Sequence, residues 1–193
     1  MRIFLTIIIF ILSLQSWAKA DDIRDFEIEG ISIGDSALDY FTKDQLFNDQ
    51  TFYYKDDKYA GVIIFGEYEI YDDIQITFDL KDKDLKLVDI EGSLNYKNDI
   101  NNCYEKQNEI ANDLEKTFSN LEKISYQQPH GADKTGNSIG KAIDFEFING
   151  DSIRVICMDW SDDLSYKNNW FDNLGVSVST NSFLNFLTNE AYN

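Results

Sequence analysis

The sequence predicts an α+β domain in which one long helix and several short helices pack on a largely antiparallel sheet. Two groups of strand-like segments, within residues 51–96 and 143–180, are separated by a strongly periodic helical segment at about 99–122. Helices and strands that occur in separate groups, rather than in strict alternation, are typical of this class. Each group of strands also follows a helix. The chain is therefore also consistent with two helix-plus-meander modules, although no shared sequence period demonstrates a duplication.

Residues 1–20 have the organisation of a cleavable signal peptide. A basic tip, Met1-Arg2, precedes an apolar run from Ile3 to Leu14, and Ala18-Lys19-Ala20 provides a cleavage site with small residues. The run is shorter than the roughly 20 apolar residues of a membrane-spanning helix, so an uncleaved anchor is the weaker alternative. No cysteine lies near the cleavage site to accept a lipid. We therefore expect residues 21–193 to form one domain that is periplasmic or secreted and has no stable membrane anchor.

The first part of this domain combines an extended segment with two helical turns. Apolar residues alternate with polar ones and are interrupted at Gly30; they are Phe26, Ile28, Ile31 and Ile33. This pattern predicts a broken strand. Ser36 is placed to cap a turn that begins at Ala37. The segment Thr42-Lys43-Asp44-Gln45 has the spacing of a capping box, which predicts a second turn.

Four strands are predicted between residues 51 and 96. They cover residues 51–55, 59–65, 74–80 and 85–96, and polar connections separate them. The third strand has the clearest alternation, because its apolar residues are separated by single polar ones; they are Ile74, Ile76, Phe78 and Leu80. A period of two predicts one buried and one solvated face, as in an antiparallel sheet.

The helix at about 99–122 places an apolar stripe on one side. The stripe consists of Ile100, Cys103, Ile110, Leu114, Phe118 and Leu121, and charged residues dominate the opposite face. Cys103 therefore points towards the sheet, and the second cysteine, Cys157, lies in a predicted strand at 153–158. In an oxidising compartment we expect the two to form a disulfide, which would stabilise the fold by roughly 3 to 5 kcal/mol. Two separate buried thiols are the alternative.

A hairpin is predicted before Cys157, because the doublet Asn149-Gly150 separates apolar strands at 143–148 and 153–158. A two-residue turn would place apolar residues opposite polar ones. We therefore favour a longer loop that includes Asp151, with Phe145 opposite Val155 and Phe147 opposite Ile153. A strand at 174–180 and a short helix at 182–191 complete the predicted elements.

The charge of the chain excludes one class of partner. The chain has 35 acidic and 17 basic side chains and a formal net charge of −18. Loss of Arg2 and Lys19 with the signal peptide would make it two units more negative. A field of this sign repels nucleic acid and anionic lipid surfaces, so we expect no nucleic-acid partner. The acidity is typical of a very soluble protein, and a dedicated surface for a basic partner is the alternative.

The sequence lacks the motifs of the common catalytic and metal sites. His130 is the only histidine, no Gly-x-Ser-x-Gly elbow is present, and one histidine with two paired cysteines is too few ligands for zinc. The segment 136–141 lacks the spacing of a phosphate-binding loop. Asp82 and Asp84, and the acids around Trp160, do not follow the calcium-loop pattern and are interpreted as solvated turn residues. We therefore expect no catalytic residue, metal or cofactor, and interpret residues 126–141 as a flexible linker or a binding loop.

The connection between Asp159 and Asn173 is the strongest candidate for a binding site. It carries large aromatic side chains among acids and asparagines, namely Trp160, Tyr166, Trp170 and Phe171. Such side chains on polar loops frequently anchor partners. The alternative is that they fold back as a cover over the sheet. His130, in the polar loop after Pro129, is the remaining candidate, with an exposed loop histidine of no function as its alternative.

The domain opens with Ile28-Glu29-Gly30-Ile31-Ser32-Ile33-Gly34-Asp35-Ser36, which leads into a short helix and then a meander. This opening resembles that of small exported helix-plus-meander modules, the β-lactamase-inhibitor-like and outer-membrane-assembly lipoprotein modules, and that of uncharacterised exported bacterial proteins. The resemblance includes no catalytic motif and implies protein binding rather than catalysis. The chain departs from the lipoproteins because it lacks their lipid-acceptor cysteine, which puts an envelope tether in doubt.

Export, the lack of a catalytic constellation and the aromatic connection predict a non-enzymatic binding or accessory protein of the cell envelope. Its expected partner is another envelope or extracellular protein. Two alternatives remain. A small carboxylate-dependent hydrolase would need at least two converging acids with perturbed pKa values. A small-ligand carrier would need an apolar cavity.

Overall fold

The computed structural model describes residues 22–97, 99–118 and 121–191. The predicted signal peptide, residues 1–20, lies outside this part of the chain. An eight-stranded antiparallel sheet dominates the described residues, accompanied by a two-stranded hairpin and four α-helices. This is the α+β class that the sequence predicts. Among the same residues, no helix has the length and apolar character needed to cross a membrane.

Ten strands and four α-helices make up the described part of the chain. The helices are α1 (Lys43–Leu46), α2 (Ile100–Thr117), α3 (Asp162–Asn168) and α4 (Asn181–Asn189). The small hairpin consists of β1 (Glu27–Ile28) and β2 (Ile31–Ser32). The strands of the large sheet are β3 (Phe52–Tyr53), β4 (Tyr59–Phe65), β5 (Asp73–Asp79), β6 (Leu87–Lys97), β7 (Glu122–Pro129), β8 (Ile139–Glu146), β9 (Ser152–Asp159) and β10 (Asp172–Ser179).

The large sheet consists of two four-stranded meanders that meet at its centre. Its strand order is β3-β4-β5-β6-β10-β9-β8-β7, and all neighbours are antiparallel. In each meander the strands run in chain order from the outer edge to the centre. The last strand of the first meander, β6, therefore pairs with the last strand of the second, β10. A helix precedes each meander, so the architecture is that of two helix-plus-meander modules.

Local hydrogen bonds and turn geometry build the opening of the domain. Glu29 and Gly30 both have positive φ, 53° and 76°, as a two-residue hairpin turn between β1 and β2 requires. Ser36 Oγ accepts a hydrogen bond from Leu38 N and caps the single helical turn Ala37–Asp39. Thr42 and Gln45 form a capping box at α1. The break at Gly30 and the two helical turns predicted from the sequence are confirmed.

Helix α2 packs on one face of the sheet and is linked to it covalently. Cys103 and Cys157 form the expected disulfide, with their Cα atoms 6.0 Å apart. One turn further, Gln107 is completely buried, and its Nε2 donates hydrogen bonds to the carbonyls of Lys141 and Val155 at 2.7 and 2.8 Å. The helix ends at Thr117, earlier than the predicted end near residue 122, because the backbone at Phe118 is extended.

Two sequence predictions about the second meander are wrong. Strand β7 extends to Pro129 and β8 begins at Ile139, so residues 126–141 are not one flexible linker. The β8–β9 hairpin places Phe145 opposite Ile153 rather than opposite Val155. This register still matches apolar with apolar side chains. The connection spans residues 147–151 and includes Asp151 as predicted, but Phe147 lies in it, where its N–H donates a hydrogen bond to Asp151 O, and not opposite Ile153.

The two faces of the sheet are covered by different elements. Helix α2 packs against β6, β9 and β10 on one face. Helix α4 covers one end of the opposite face, where Phe183 and Phe186 pack edge-on against Tyr59. We call the face opposite α2 the open face. Its central row, in register across five strands, consists of Gln75, Glu91, Ser177, Arg154 and Asp144.

Candidate functional site

Three aromatic side chains pack together at one end of the sheet, where β7 and β9 end and β10 begins. The rings of His130 and Trp160 meet edge to face at 64°, and those of Trp160 and Trp170 are tilted by 48°; we call this group the stack. The ring centroid of Trp160 lies 4.6 Å from that of His130 and 4.5 Å from that of Trp170. Trp160 and His130 directly follow β9 and β7, and Trp170 lies two residues before β10. The structure therefore brings together three of the five side chains that the sequence suggests for binding.

The other two candidates lie on the same connection but outside the stack. Tyr166 is on α3 and is 95% exposed, and Phe171 and Trp170 are each 38% exposed. Trp160 and His130 are half-buried and form the base of the stack. We call the five side chains together the aromatic surface; they are His130, Trp160, Tyr166, Trp170 and Phe171. Three of the five, Tyr166, Trp170 and Phe171, are exposed, whereas Trp160 and His130 are partly covered.

Hydrogen bonds hold the loop 130–138 that carries His130. Asp133 accepts four of them, from the backbone N–H and the hydroxyl of Thr135 and of Ser138. These bonds hold the pKa of Asp133 far below its ordinary value. Ser138 Oγ also accepts a hydrogen bond from Ser161 N at 3.0 Å. The loop is thereby tied to the residue that follows Trp160.

Two further hydrogen bonds hold the backbone at Trp160 and the ring of His130. Trp160 N donates to Asp172 Oδ1 at 3.0 Å, which joins the end of β9 to the start of β10. His130 Nδ1 accepts a hydrogen bond from Ala132 N at 3.2 Å. In a neutral imidazole this places the proton on Nε2, so His130 can donate one hydrogen bond to a ligand.

A pocket beside Trp160 is lined by acids. Its lining residues are Asn137, Asp159, Trp160, Ser161, Asp162 and Asp163. Burial raises the pKa of Asp159, and the negative charge of Asp162 raises it further. Burial also raises the pKa of Asp172, with contributions from the charges of Asp159 and Asp162. The aromatic surface therefore combines π faces with a negative potential.

Two acids on the open face form a second candidate group, which sequence reasoning missed. Asp89 is 8% exposed and accepts a hydrogen bond from Ser179 Oγ. Glu91 pairs with Ser177, and its side chain lies over the neighbouring Gly175, where a Cβ atom would be only 2.7 Å from Glu91 Oε1. Burial raises the pKa of Asp89 to about 6 and that of Glu91 to about 7, and the charge of Asp89 contributes to the shift of Glu91. The signal that could have identified them is their spacing, since acids two residues apart in a strand share a face.

Arg154 is the basic residue of the same central row, and it is bonded to a different acid. Its Nε and Nη2 donate to the two carboxylate oxygens of Asp144 at 2.8 and 2.9 Å. Tyr126 Oη donates to the same carboxylate at 3.2 Å. Asp144 therefore takes the bidentate pairing of the guanidinium, and Arg154 lowers the pKa values of Asp89 and Glu91 only through its electrostatic field.

Among residues 22–97, 99–118 and 121–191, no group of three or more histidines, cysteines and acids is placed to hold a metal ion. Comparisons of the chain with protein-family models, with curated proteins and with solved structures found no match.

Proposed function

We propose that this protein is an exported, non-enzymatic binding or accessory protein of the cell envelope, and that it contacts another envelope or extracellular protein through the aromatic surface. The observation that carries the proposal is the stack of His130, Trp160 and Trp170 beside exposed aromatic side chains. The disulfide between Cys103 and Cys157 is compatible with the oxidising compartment that export would reach.

The exposure of the aromatic surface, and the hydrogen bonds that hold its loop in place, support binding over a purely structural role. Burying a large apolar side chain is worth about 1.5 to 3 kcal/mol, so leaving Tyr166, Trp170 and Phe171 exposed together forgoes stability. Clusters of this kind mark contact sites. The loop around Asp133 is already held by hydrogen bonds, so a partner would meet a surface that loses little conformational entropy on binding.

Capture of partners from envelope extracts of the source organism tests the proposal. The immobilised wild type is compared with the double variant Tyr166→Ala and Trp170→Ala. The matched control is Phe65→Ala with Ile70→Ala, which removes two side chains that are 68% and 64% exposed near the β4–β5 connection. We expect the wild type and the control to retain the partner and the double variant to lose it. Equal retention by all three would remove the aromatic surface as the contact site, and retention by none would contradict a stable protein partner.

The open-face acids support one alternative function, a small carboxylate-dependent hydrolase. Two neighbouring acids with raised pKa values, Asp89 and Glu91, are suited to general acid and base catalysis near neutral pH. Hydrolysis of a panel of chromogenic glycosides and esters tests this alternative. Activity that is lost in Asp89→Asn and Glu91→Gln, and kept in the exposed open-face variant Glu146→Gln, would support it. Absence of turnover, or turnover that these variants leave unchanged, would exclude the two acids as catalytic groups.

A further inference from the structure

The pocket beside Trp160 carries negative charge that the described chain does not neutralise. Asp159, Asp162 and Asp163 line it, and Asp172 bonds to the backbone N–H of Trp160. Within the described residues, none of these four carboxylates takes part in an ion pair. Lys167 follows Asp163 by four residues on α3, a spacing that permits an ion pair, and still makes none with it.

Two of these carboxylates, Asp159 and Asp172, have raised pKa values, so their environment disfavours the charged form. Burial raises the pKa of both Asp159 and Asp172, and the negative charge of Asp162 adds to each shift. A positive group placed in the pocket would offset this repulsion. A neutral ligand such as an oligosaccharide could stack on the indole rings and accept or donate hydrogen bonds, but would leave the charge in place.

The aromatic rings next to the pocket also favour a positively charged group. A cation over an indole face within about 6 Å of its centre is attracted by the ring electrons, and more strongly where water is excluded. This protein uses the same contact elsewhere, since Lys141 Nζ lies 4.4 Å from the ring centre of Tyr104. At the aromatic surface, Trp160 belongs both to the group of packed rings and to the pocket wall, so one ligand in the pocket can contact the indole and a carboxylate together.

We propose that the aromatic surface binds a basic side chain of its protein partner, with arginine preferred over lysine. This inference rests on the proposed function of the surface. A guanidinium is planar, so it stacks on aromatic rings and can donate two parallel hydrogen bonds to one carboxylate. An ammonium group stacks less well and does not form this paired arrangement. Trp160 or Trp170 would contact the plane of the guanidinium, and Asp162 or Asp163 would accept its hydrogen bonds.

Tryptophan fluorescence of the exported full protein provides the test, because two of the three tryptophans in the sequence belong to the stack and the third, Trp17, lies in the predicted signal peptide. The probe is the blocked peptide Gly-Arg-Gly-Arg-Gly. The same peptide with citrulline, which is neutral and of similar shape, is the control ligand. We expect saturable quenching by the arginine peptide and at least tenfold weaker binding of the citrulline peptide. Equal binding of the two, or a response to a neutral oligosaccharide and not to the arginine peptide, would overturn the proposal.

Matched variants separate this pocket from the general acidity of the chain. The double variant Asp162→Asn with Asp163→Asn should weaken binding of the arginine peptide about tenfold. The control Asp82→Asn with Asp84→Asn makes the same charge change in the turn between β5 and β6, and should alter the affinity less than twofold. Similar losses in both pairs would show non-specific attraction and overturn the proposal. If circular dichroism shows that the double variant does not fold, the single variant Asp163→Asn, at an exposed position, replaces it in the test.

The result is distinguishable from that of partner capture. If the double variant Tyr166→Ala with Trp170→Ala loses the partner and the wild type does not bind the arginine peptide, the surface is correct and the ligand class is wrong. If the arginine peptide binds and the double variant still captures the partner, the ligand class stands and the proposed function fails.

Discussion

Replacement of Glu91 by glutamine should make the protein more stable above neutral pH and leave its stability near pH 4 almost unchanged. The side chain lies on the open face over Gly175, and burial, together with the charges of Asp89 and Asp73, raises the pKa of Glu91 from 4.5 to about 7. One pKa unit corresponds to about 1.4 kcal/mol, so the rise from 4.5 to about 7 amounts to about 3.5 kcal/mol. Because Glu91 is half-buried and solvent screens its charge, we expect the variant to gain about 1 to 3 kcal/mol at pH 8.

The direction of this effect follows from proton binding. The folded protein holds a proton on Glu91 that the unfolded chain loses above its ordinary pKa. Between about pH 4.5 and pH 7 the folded state therefore binds more protons, and the free energy of unfolding falls as the pH rises through this window. Glutamine does not ionise, so the variant lacks this part of the decline.

Urea denaturation at pH 4, 6 and 8 measures the effect. The exposed open-face residue Glu146 provides the control, since Glu146→Gln changes the net charge equally without removing a buried acid. A Glu91→Gln protein whose stability declines with pH as steeply as the wild type, or which is less stable than the wild type at pH 8, would refute the reasoning.

Three further predictions concern the elements that hold the fold and the aromatic surface. The double variant Cys103→Ser with Cys157→Ser should lower the free energy of unfolding by about 4 kcal/mol, as expected for a disulfide between residues 54 apart in the chain. A loss below about 1 kcal/mol, measured by guanidinium unfolding, would contradict this prediction. Gly92→Ala should destabilise the protein by about 1 to 3 kcal/mol, because the new Cβ would lie 2.6 Å from the Tyr71 ring. Gly131→Ala is the control, since its Cβ would meet nothing within 4 Å, and equal melting temperatures for the two variants would contradict the prediction. Asp133→Ala removes the acceptor of four hydrogen bonds, so hydrogen exchange of the Thr135 and Ser138 amides should accelerate at least tenfold. The control Asp82→Ala should leave this exchange unchanged. Unchanged exchange in Asp133→Ala as well would show that Asp133 does not hold the loop.

The elements that could be predicted from the sequence are those with a local signal. β5 alternates cleanly, and α1 begins with a capping box, so both lie where the pattern indicates them. Strand β7 has no such signal, because nearly all of its residues are exposed on this edge of the sheet. The predicted helix continued to about residue 122 because Leu121 extends the apolar stripe of α2, although the helix ends at Thr117.

The candidate sites differ in how much of them is visible in the sequence. The aromatic surface could be suggested because four of its side chains lie within one connection, but the contact between His130 and Trp160 depends on β7 and β9 ending at the same end of the sheet. The environment of Glu91 depends on Gly175, which β10 places beside it from far along the chain. The register of the β8–β9 hairpin was mispredicted for a related reason, since two registers both place apolar side chains opposite each other.

The pairing of β6 with β10 determines when the sheet can be completed during folding. Until β10 arrives, β6 is the last strand of a four-stranded sheet and its outer backbone groups have no partner. An eleven-residue strand in that state can pair with a second chain, which is a recognised route to aggregation. Nascent or truncated forms that lack β10 are therefore expected to aggregate more readily than the complete chain.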